Sequence, residues 1–226
     1  MKILALDTST EYCSVALSIA GEVDFRGMRA GQTHSRVLLG MVDELLRARA
    51  VRLEHLDGIA FGEGPGSFTG LRIACGVVQG LAFGAGLSVV GIGTLLAMAA
   101  GTEADRVVCC LDARMQEIYH AAYEKQGAVW HAVHEPSVCP PDAAPALNGS
   151  GWLACGSGFL AYREALHARY AGQLDDIQPD RFPHARDIAR LALPRFEADE
   201  AVSGEHAAPV YLRNKVALRT DERTSR

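Results

Sequence analysis

A glycine-rich segment, GEGPGSFTGLR at residues 62–72, has the residue types and spacing to take part in chemistry, and it lies between a predicted strand and a predicted helix. Glycine lets the backbone approach an anion closely, and a helix N-terminus offers that anion free N–H groups. However, the segment lacks the lysine of a P-loop, and the last glycine of a dinucleotide-binding Gly-x-Gly-x-x-Gly motif would fall on Ser67. Two interpretations stay open: a structural turn in which Ser67 caps the helix, or an anion contact through Gly64, Gly66 and Ser67.

Two aspartates follow apolar runs that are typical of buried strands. Asp7, with Thr8 behind it, ends the first run, and Asp112 ends a similar run in the second half. These residues could flank a cleft and hold a magnesium-bound nucleotide, or the aspartates could simply cap turns. Arg114 could pair with Asp112 or with Glu117 and so fill such a cleft. The candidate nucleotide or anion contacts are Asp7, Thr8, Gly64, Gly66, Ser67 and Asp112.

Metal ligands are sparse in this sequence. The closest histidines, His131 and His134, are three residues apart in a predicted strand and therefore point to opposite faces. No His-Glu-x-x-His pair occurs, so no metal site is predicted, and the other histidines are expected to be surface residues or satisfied core residues. The six cysteines contain no Cys-x-x-Cys pair and are expected to be small core side chains in a reducing compartment.

Length and composition limit the class of protein. The 226 residues suggest one large domain or two small ones, and 49% hydrophobic with 22% charged residues excludes a disordered or fibrous protein. The formal net charge of −5 argues against a dedicated nucleic-acid binder, which normally carries a basic field. If RNA is involved, another subunit is expected to hold its phosphates. The first apolar run is too short for a signal peptide, so the chain is expected to be cytoplasmic.

The order of apolar patterns predicts an α/β protein whose second half echoes the first. In the first half, strands are expected near 3–6, 13–19, 23–28, 56–62 and 87–90, and helices near 34–49, 67–84 and 94–100. In the second half, strands are expected near 107–111, 118–123, 129–134 and 152–155, and helices near 159–170 and 184–198. Two lead strands that each end in aspartate suggest a duplicated unit.

One long segment raises the question of a membrane span. Residues 73–102 carry no charged side chain, which is long enough to cross a bilayer by length alone. Gly84, Gly86, Gly91 and Gly93 interrupt it, and interrupted backbone facing lipid would leave polar groups unsatisfied. A buried helix–strand–helix core is therefore predicted, with no membrane association.

Two helices carry features that could serve contacts. An apolar stripe follows the helix at 34–49, and Gly76, Gly80 and Gly84 share one face of the helix at 67–84. Glycine costs about 1 kcal/mol in a helix interior relative to alanine, so three aligned glycines suggest a compensating gain. Either another part of the chain packs unusually close to them, or they belong to a subunit interface.

Several blocks of sequence carry a resemblance to a known family. They are ILALDTS at 3–9, CSVAL at 13–17, GPGSFTGLRI at 64–73, QGLA at 79–82, DARM at 112–115 with Glu117 and Tyr119 behind it, and EHAAPVYLRN at 205–214. With these blocks the chain resembles the TsaB (YeaZ) family of tRNA threonylcarbamoyladenosine biosynthesis proteins. The blocks run from residue 3 to residue 214, and GPGSFTG is highly specific.

The resemblance implies a two-lobed actin/Hsp70-like fold (ASKHA, ribonuclease H-like), in which each lobe is a mixed sheet with flanking helices. The lobes would be residues 1–103 and 104–218, followed by a charged tail at 219–226. The family acts in placing a threonylcarbamoyl group on the adenosine just 3′ of the tRNA anticodon. Its members resemble non-catalytic relatives of the transferase subunit TsaD, whose metal-binding histidine pair has no counterpart at 93–98 of this sequence.

The implied function is that of a scaffold subunit with no catalytic residue, metal or cofactor of its own. It would pair with TsaD, be joined by the ATPase TsaE, meet tRNA only through the complex, and form a homodimer when alone. The candidate partner contacts on the 34–49 and 67–84 helices are Val37, Leu38, Met41, Leu45, Gly76, Gly80 and Gly84. The alternative is an ATPase or phosphotransferase of the same fold class, with ATP or ADP and magnesium at the contacts named above or at a subunit boundary.

Overall fold

The structure, a computed structural model, describes residues 1–213. The tail predicted at 219–226 and the last residues of the predicted 104–218 unit lie outside the described residues.

The first of two sheets is built around three parallel strands. It has six strands in the order β11-β5-β4-β1-β2-β3, with β1 parallel to β4, β4 parallel to β5, and the other pairs antiparallel. The strands are β1 (Lys2–Asp7), β2 (Tyr12–Ile19), β3 (Glu22–Arg29), β4 (Gly58–Gly64), β5 (Ser88–Gly93) and β11 (Val202–Ser203). Every residue of β1 from Ile3 to Asp7 is buried, so the prediction of a central strand covered on both faces is confirmed.

Helices cover both faces of this sheet. The helices α1 (His34–Ala48) and α2 (Phe68–Ala85) lie on one face and share a core with Leu4 and Leu6 of β1. On the other face lies α6 (Ala185–Glu197), whose apolar residues form a second core with Ile3 and Ala5. The helix predicted at 184–198 therefore exists, but it does not complete the second half as expected. It crosses back because β1, β4 and β5 would otherwise expose an apolar face.

The second sheet repeats the strand plan of the first. It has five strands in the order β10-β9-β6-β7-β8, in which β9 runs parallel to both β6 and β10. The strands are β6 (Arg106–Arg114), β7 (Glu117–Gln126), β8 (Val129–Cys139), β9 (Trp152–Cys155) and β10 (Leu174–Gln178). The short strands β10 and β11 were not predicted. The predicted α/β class with two mixed sheets and flanking helices is confirmed.

Short helices cover the second sheet. The helix predicted at 159–170 is two helices, α4 (Gly158–Ala161) and α5 (Arg163–Arg169), which pack with Tyr170 on one face. The break falls at Tyr162, whose hydroxyl donates to Asp112 Oδ1 at 3.1 Å. The other face of the second sheet packs against α3 (Thr94–Ala100), which lies between the two sheets.

We call the first sheet with α1, α2 and α6 the first lobe, and the second sheet with α4 and α5 the second lobe. The proposed chain division at residues 103 and 104 stays a prediction. In the structure, β11 is a strand of the first sheet and α6 packs on that sheet, although both come late in the chain. All six cysteines are free thiols, five of them buried, as predicted.

Candidate functional site

A cleft of about 1100 Å³ opens between the two lobes. The first lobe contributes the β1–β2 turn and the start of α2, and the second contributes the β6–β7 turn and α4. Residues 210–213 line it as well. A concave site of this size suits a small ligand, so a residue that contacts a nucleotide is expected to line this cleft.

The glycine-rich turn is filled by the chain's own backbone. A Cβ at Gly66 would collide with the carbonyl oxygen of Ser9, and one at Gly70 would collide with that of Thr8. The Ser67 N–H, at the start of α2, donates to Ser9 O at 2.7 Å. Gly64 has a φ of +120°, and a Cβ there would lie 2.6 Å from Val210 O. These contacts explain the three glycines by close packing within the chain, which favours the structural turn.

The helix cap predicted for Ser67 is present. Ser67 is the N-cap residue of α2, and its hydroxyl oxygen accepts a hydrogen bond from the Gly70 N–H at 3.3 Å. An anion contact at this turn stays a prediction.

Asp7 and Thr8 lie beneath the turn and are not among the residues that line the cleft. The Thr8 hydroxyl donates to Gly70 O at 2.7 Å. Asp7 Oδ1 accepts from the N–H and the hydroxyl of Ser9 at 3.1 and 2.9 Å, while Asp7 Oδ2 has no partner among the described residues. Burial raises the pKa of Asp7 to about 7. Asp7 is therefore mostly protonated below pH 7, and its carboxyl does not face the cleft.

Asp112 does line the cleft, but its carboxylate already has three donors. Oδ1 accepts from the Arg114 N–H at 2.8 Å and from the Tyr162 hydroxyl at 3.1 Å. Oδ2 pairs with Arg114 Nη1 at 3.0 Å. Of the two alternative partners considered for Arg114, the structure shows Asp112, whereas Glu117 pairs with Arg213. A nucleotide contact at Asp112 would have to displace these partners and stays a prediction.

Several histidines differ from the expectation of satisfied core residues: His34, His134 and His184 each have a buried Nδ1 without a partner among the described residues, and His120 differs most. His120 is fully buried in the second lobe, and neither of its ring nitrogens has a partner among the described residues, so it is not a satisfied core residue. Burial, with His134 and Arg169 nearby, lowers the pKa of His120 to about 4. Its ring lies 5.7 Å from that of His134. Within residues 1–213 no group of three or more metal-ligating side chains comes together.

The candidate partner contacts on α1 divide between core and surface. Leu38, Met41 and Leu45 are at most 9% exposed and pack into the core under the helix, so they cannot form a contact surface in this structure. The apolar stripe of an amphipathic helix is the part that seats it on the sheet. Val37 is half-buried, and the neighbouring Leu39, which was not predicted, is 52% exposed.

The glycine stripe on α2 faces outward. Gly76, Gly80 and Gly84 are all exposed, and a Cβ built on any of them meets nothing within 4 Å. Packing within the described chain therefore does not explain them. Phe83, on the same side of the helix, is 92% exposed and was not predicted. The signal available in the sequence was the absence of charged residues from 73 to 85, which includes positions that do not face the sheet.

The helix α2 is long and apolar. By length and composition Phe68–Ala85 could cross a bilayer, and 33% of its residues are buried. A single helix of this kind is weak support for a membrane protein, since core helices have the same length and composition. The predicted helix–strand–helix order is confirmed as α2, β5 and α3. The prediction that this segment is a buried core is wrong for one side of α2, where Gly76, Gly80, Phe83 and Gly84 are exposed.

Comparisons with known proteins agree on one family. A family model described as "TsaD: tRNA N6-adenosine threonylcarbamoyltransferase" matches residues 27–221. The chain is 38% identical to the tRNA threonylcarbamoyladenosine biosynthesis protein TsaB of Escherichia coli (strain K12), over 96% of each chain. It is 37% identical to the TsaB protein of Haemophilus influenzae, over 96% of this chain and 95% of that one. The solved structure of YeaZ from Pseudomonas aeruginosa matches with a TM-score of 0.87 at 38% identity, covering 93% of this chain and 99% of that one.

Proposed function

Since the chain belongs to the TsaB family of tRNA threonylcarbamoyladenosine biosynthesis proteins, we propose that it is the non-catalytic scaffold subunit of the machinery that makes this modification. It pairs with the transferase subunit TsaD, the ATPase TsaE joins the pair, and the partners hold the tRNA. It acts in the cytoplasm and needs no metal or cofactor of its own. The observation that carries this proposal is the exposed glycine stripe of α2.

The stripe is costly to the isolated chain. Each glycine in the interior of a helix costs about 1 kcal/mol relative to alanine. The space in front of Gly76, Gly80 and Gly84 is open, so alanine would fit at each position without a clash. A backbone that closely approaches these glycines from another subunit supplies the compensation that the described chain lacks.

The surroundings of the stripe suit a protein partner. Phe83 is almost fully exposed, and the half-buried side chains of Ile73 and Val77 flank the glycines. Arg72 is the only charged residue in α2. Aromatic enrichment and few charges are the composition of an interface core. The neighbouring helix α1 adds the exposed Leu39 and Gly40.

The interlobe cleft supports a scaffold role in a second way. The hydroxyl of Thr8 and the carboxylate of Asp112 already have partners within the chain, and Asp7 is buried away from the cleft. These are the groups that the fold class would offer to a nucleotide and its magnesium. In this chain they hold the two turns in place.

Gly80→Leu is expected to abolish co-elution with TsaD from the same organism on size-exclusion chromatography, because a leucine side chain prevents close approach at the stripe. Phe83→Glu is expected to do the same by placing a charge in the contact. Both positions are open to solvent, so the variants should keep the circular dichroism spectrum of the parent and should melt at no lower temperature than the parent. Ala128→Leu, which adds an exposed leucine in the β7–β8 turn, is the matched control and should bind normally. Intact complexes with both α2 variants would contradict the proposed contact face.

Cells depleted of this chain are expected to lose threonylcarbamoyladenosine from tRNAs that read codons beginning with A. Mass spectrometry of nucleosides from digested tRNA measures this directly. The parent chain should restore the nucleoside, and Gly80→Leu should not. An unchanged nucleoside level after depletion would overturn the functional assignment.

The alternative of an ATPase or phosphotransferase is tested separately, with ATP or ADP and magnesium as the ligands. Isothermal titration of the full chain with magnesium–ATP, alongside Asp112→Ala, is the measurement, because Asp112 is the candidate carboxylate that lines the cleft. Micromolar binding that is lost in the variant would favour this alternative. An absence of heat would favour the scaffold.

A further inference from the structure

The last described residues, 204–213, form an arm that runs along α2 and then reaches the second lobe. We call this arm the strap. Along α2, the Sγ of Cys75 and the Nε2 of Gln79 both donate to Ala207 O, at 3.1 and 2.8 Å. The strap then crosses β4, where the Val210 N–H donates to Glu63 O at 2.7 Å. These bonds fix the first part of the strap to the first lobe.

Tyr211 adds an anchor at the start of α2. Its hydroxyl oxygen accepts from Arg72 Nε at 3.0 Å, and its ring lies 5.4 Å from the ring of Phe68. The strap is thus attached to the first lobe at both ends of its contact with α2. Its residues 210–213 line the interlobe cleft.

Arg213, the end of the strap, is attached to the second lobe instead. Its Nη1 donates to Ala113 O at 2.9 Å, and its Nη2 forms an ion pair with Glu117. The Arg213 side chain is only 14% exposed. These partners lie at the end of β6 and the start of β7, on either side of the β6–β7 turn, so one guanidinium joins the two lobes across the cleft.

The β6–β7 turn needs such a support. Arg114, Met115 and Gln116 have φ values of +62°, +55° and +61°, a left-handed conformation that residues other than glycine rarely adopt in succession. A strained backbone conformation of this kind persists where contacts from surrounding residues hold it in place. Such conformations occur at ligand clamps and switch regions. Arg213 provides this contact by bonding the turn on both sides, at Ala113 O and at Glu117.

The covalent connections between the lobes lie elsewhere. The chain crosses from α3 to β6 near Gly101 and returns from β10 to α6 near Arg181, and the Arg181 Nη1 donates to Gly101 O at 2.6 Å. Neither residue lines the cleft. Away from the cleft, the lobes are therefore joined by this two-stranded connection and by α3, which packs between the two sheets. At the cleft they are joined by the strap.

We propose that the strap is a clasp that sets how far the cleft opens, with Arg213 as the releasable contact. When Arg213 leaves the β6–β7 turn, the second lobe rotates about the paired connections while both sheets stay folded. A ligand or partner that competes for Glu117 or for the Ala113 carbonyl opens the cleft by the same step. Because the strap also lies along α2, the same clasp couples the cleft to the exposed face of that helix.

The test compares the full chain with Arg213→Gln, which keeps much of the side chain but removes the charge and the fork of donors. Small-angle X-ray scattering should show a larger radius of gyration for the variant. Hydrogen–deuterium exchange should become about tenfold faster or more in peptides covering 111–117 and 207–213, because charge-assisted bonds are lost there. Peptides from β1 and β4 should exchange as in the parent. Glu117→Gln should move both measurements in the same direction.

Arg114→Gln is the matched control. Arg114 belongs to the same turn, but its side chain is 86% exposed and pairs with Asp112 in the same lobe. This variant should keep the parent's radius of gyration. If Arg213→Gln behaves like Arg114→Gln, the clasp is refuted. Equally accelerated exchange in both sheets would also refute it, since Arg213 would then be a general stabiliser.

Discussion

Replacing Gly70 by alanine is expected to destabilise the chain by about 3 kcal/mol or more and to lower its melting temperature by roughly 6–12 °C. The new Cβ would collide with the Thr8 carbonyl oxygen, which is backbone and cannot rotate away. The Thr8 hydroxyl also donates to Gly70 O, so either α2 or the β1–β2 turn has to move. Differential scanning calorimetry and urea unfolding measure the loss.

Gly76→Ala is the matched control on the same helix. Gly76 is exposed and a Cβ there meets nothing, so alanine should stabilise the chain by about 1 kcal/mol and raise the melting temperature by roughly 2–4 °C. The two substitutions are chemically identical and should have opposite signs. If both were neutral, the close packing of the glycine-rich turn and the openness of the stripe would each be contradicted.

Asp7→Asn is expected to stabilise the chain by about 4 kcal/mol at pH 8 and to have little effect near pH 4. The folded chain holds a proton on Asp7 up to a pKa of about 7, whereas the ordinary value is 3.8. The unfolded chain therefore releases this proton at a lower pH than the folded chain. The stability that Asp7 contributes is complete below pH 3.8 and is lost as the pH rises through 7.

Asparagine resembles the protonated carboxyl in size and does not ionise, so the loss should disappear in the variant. Urea unfolding of both chains at intervals between pH 4 and pH 8 gives the two profiles. Asp7→Ala, which removes both the bonds from Ser9 and the side-chain volume, should destabilise the chain at the acid end of the range. Parallel profiles for the parent and Asp7→Asn would show that Asp7 is ionised in the fold.

Both predictions give the motif residues a structural role within the first lobe. Gly70 lets the start of α2 lie against Thr8 at the end of β1. Asp7 holds Ser9, whose carbonyl oxygen accepts from the Ser67 N–H at the N-cap of α2, so both residues help to orient a helix whose other side faces solvent. A scaffold needs that orientation more than it needs reactive groups at the turn. The proposed contact face and the clasp both depend on it.

Local patterns predicted most of the elements correctly. Alternation predicted β2, and an amphipathic stripe predicted α1, because the periods of strands and helices differ. The helix α1 buries one side, whereas β2 is covered on both faces. The resemblance to a known family predicted the two-lobed fold. The short strands β10 and β11 were missed because strands of five and two residues carry too little periodic pattern.

Sequence by itself determined the α/β class, the order of nearly all elements and the existence of a glycine stripe on α2, since these follow from residue type and spacing along the chain. Only the tertiary structure decided which side of each helix is free. It placed Leu38 and Leu45 in the core and Gly80 in solvent, because burial depends on which sheet a helix meets. It likewise brought α6 back to the first lobe and carried Arg213 to Glu117, contacts between residues far apart in the chain that no local pattern encodes.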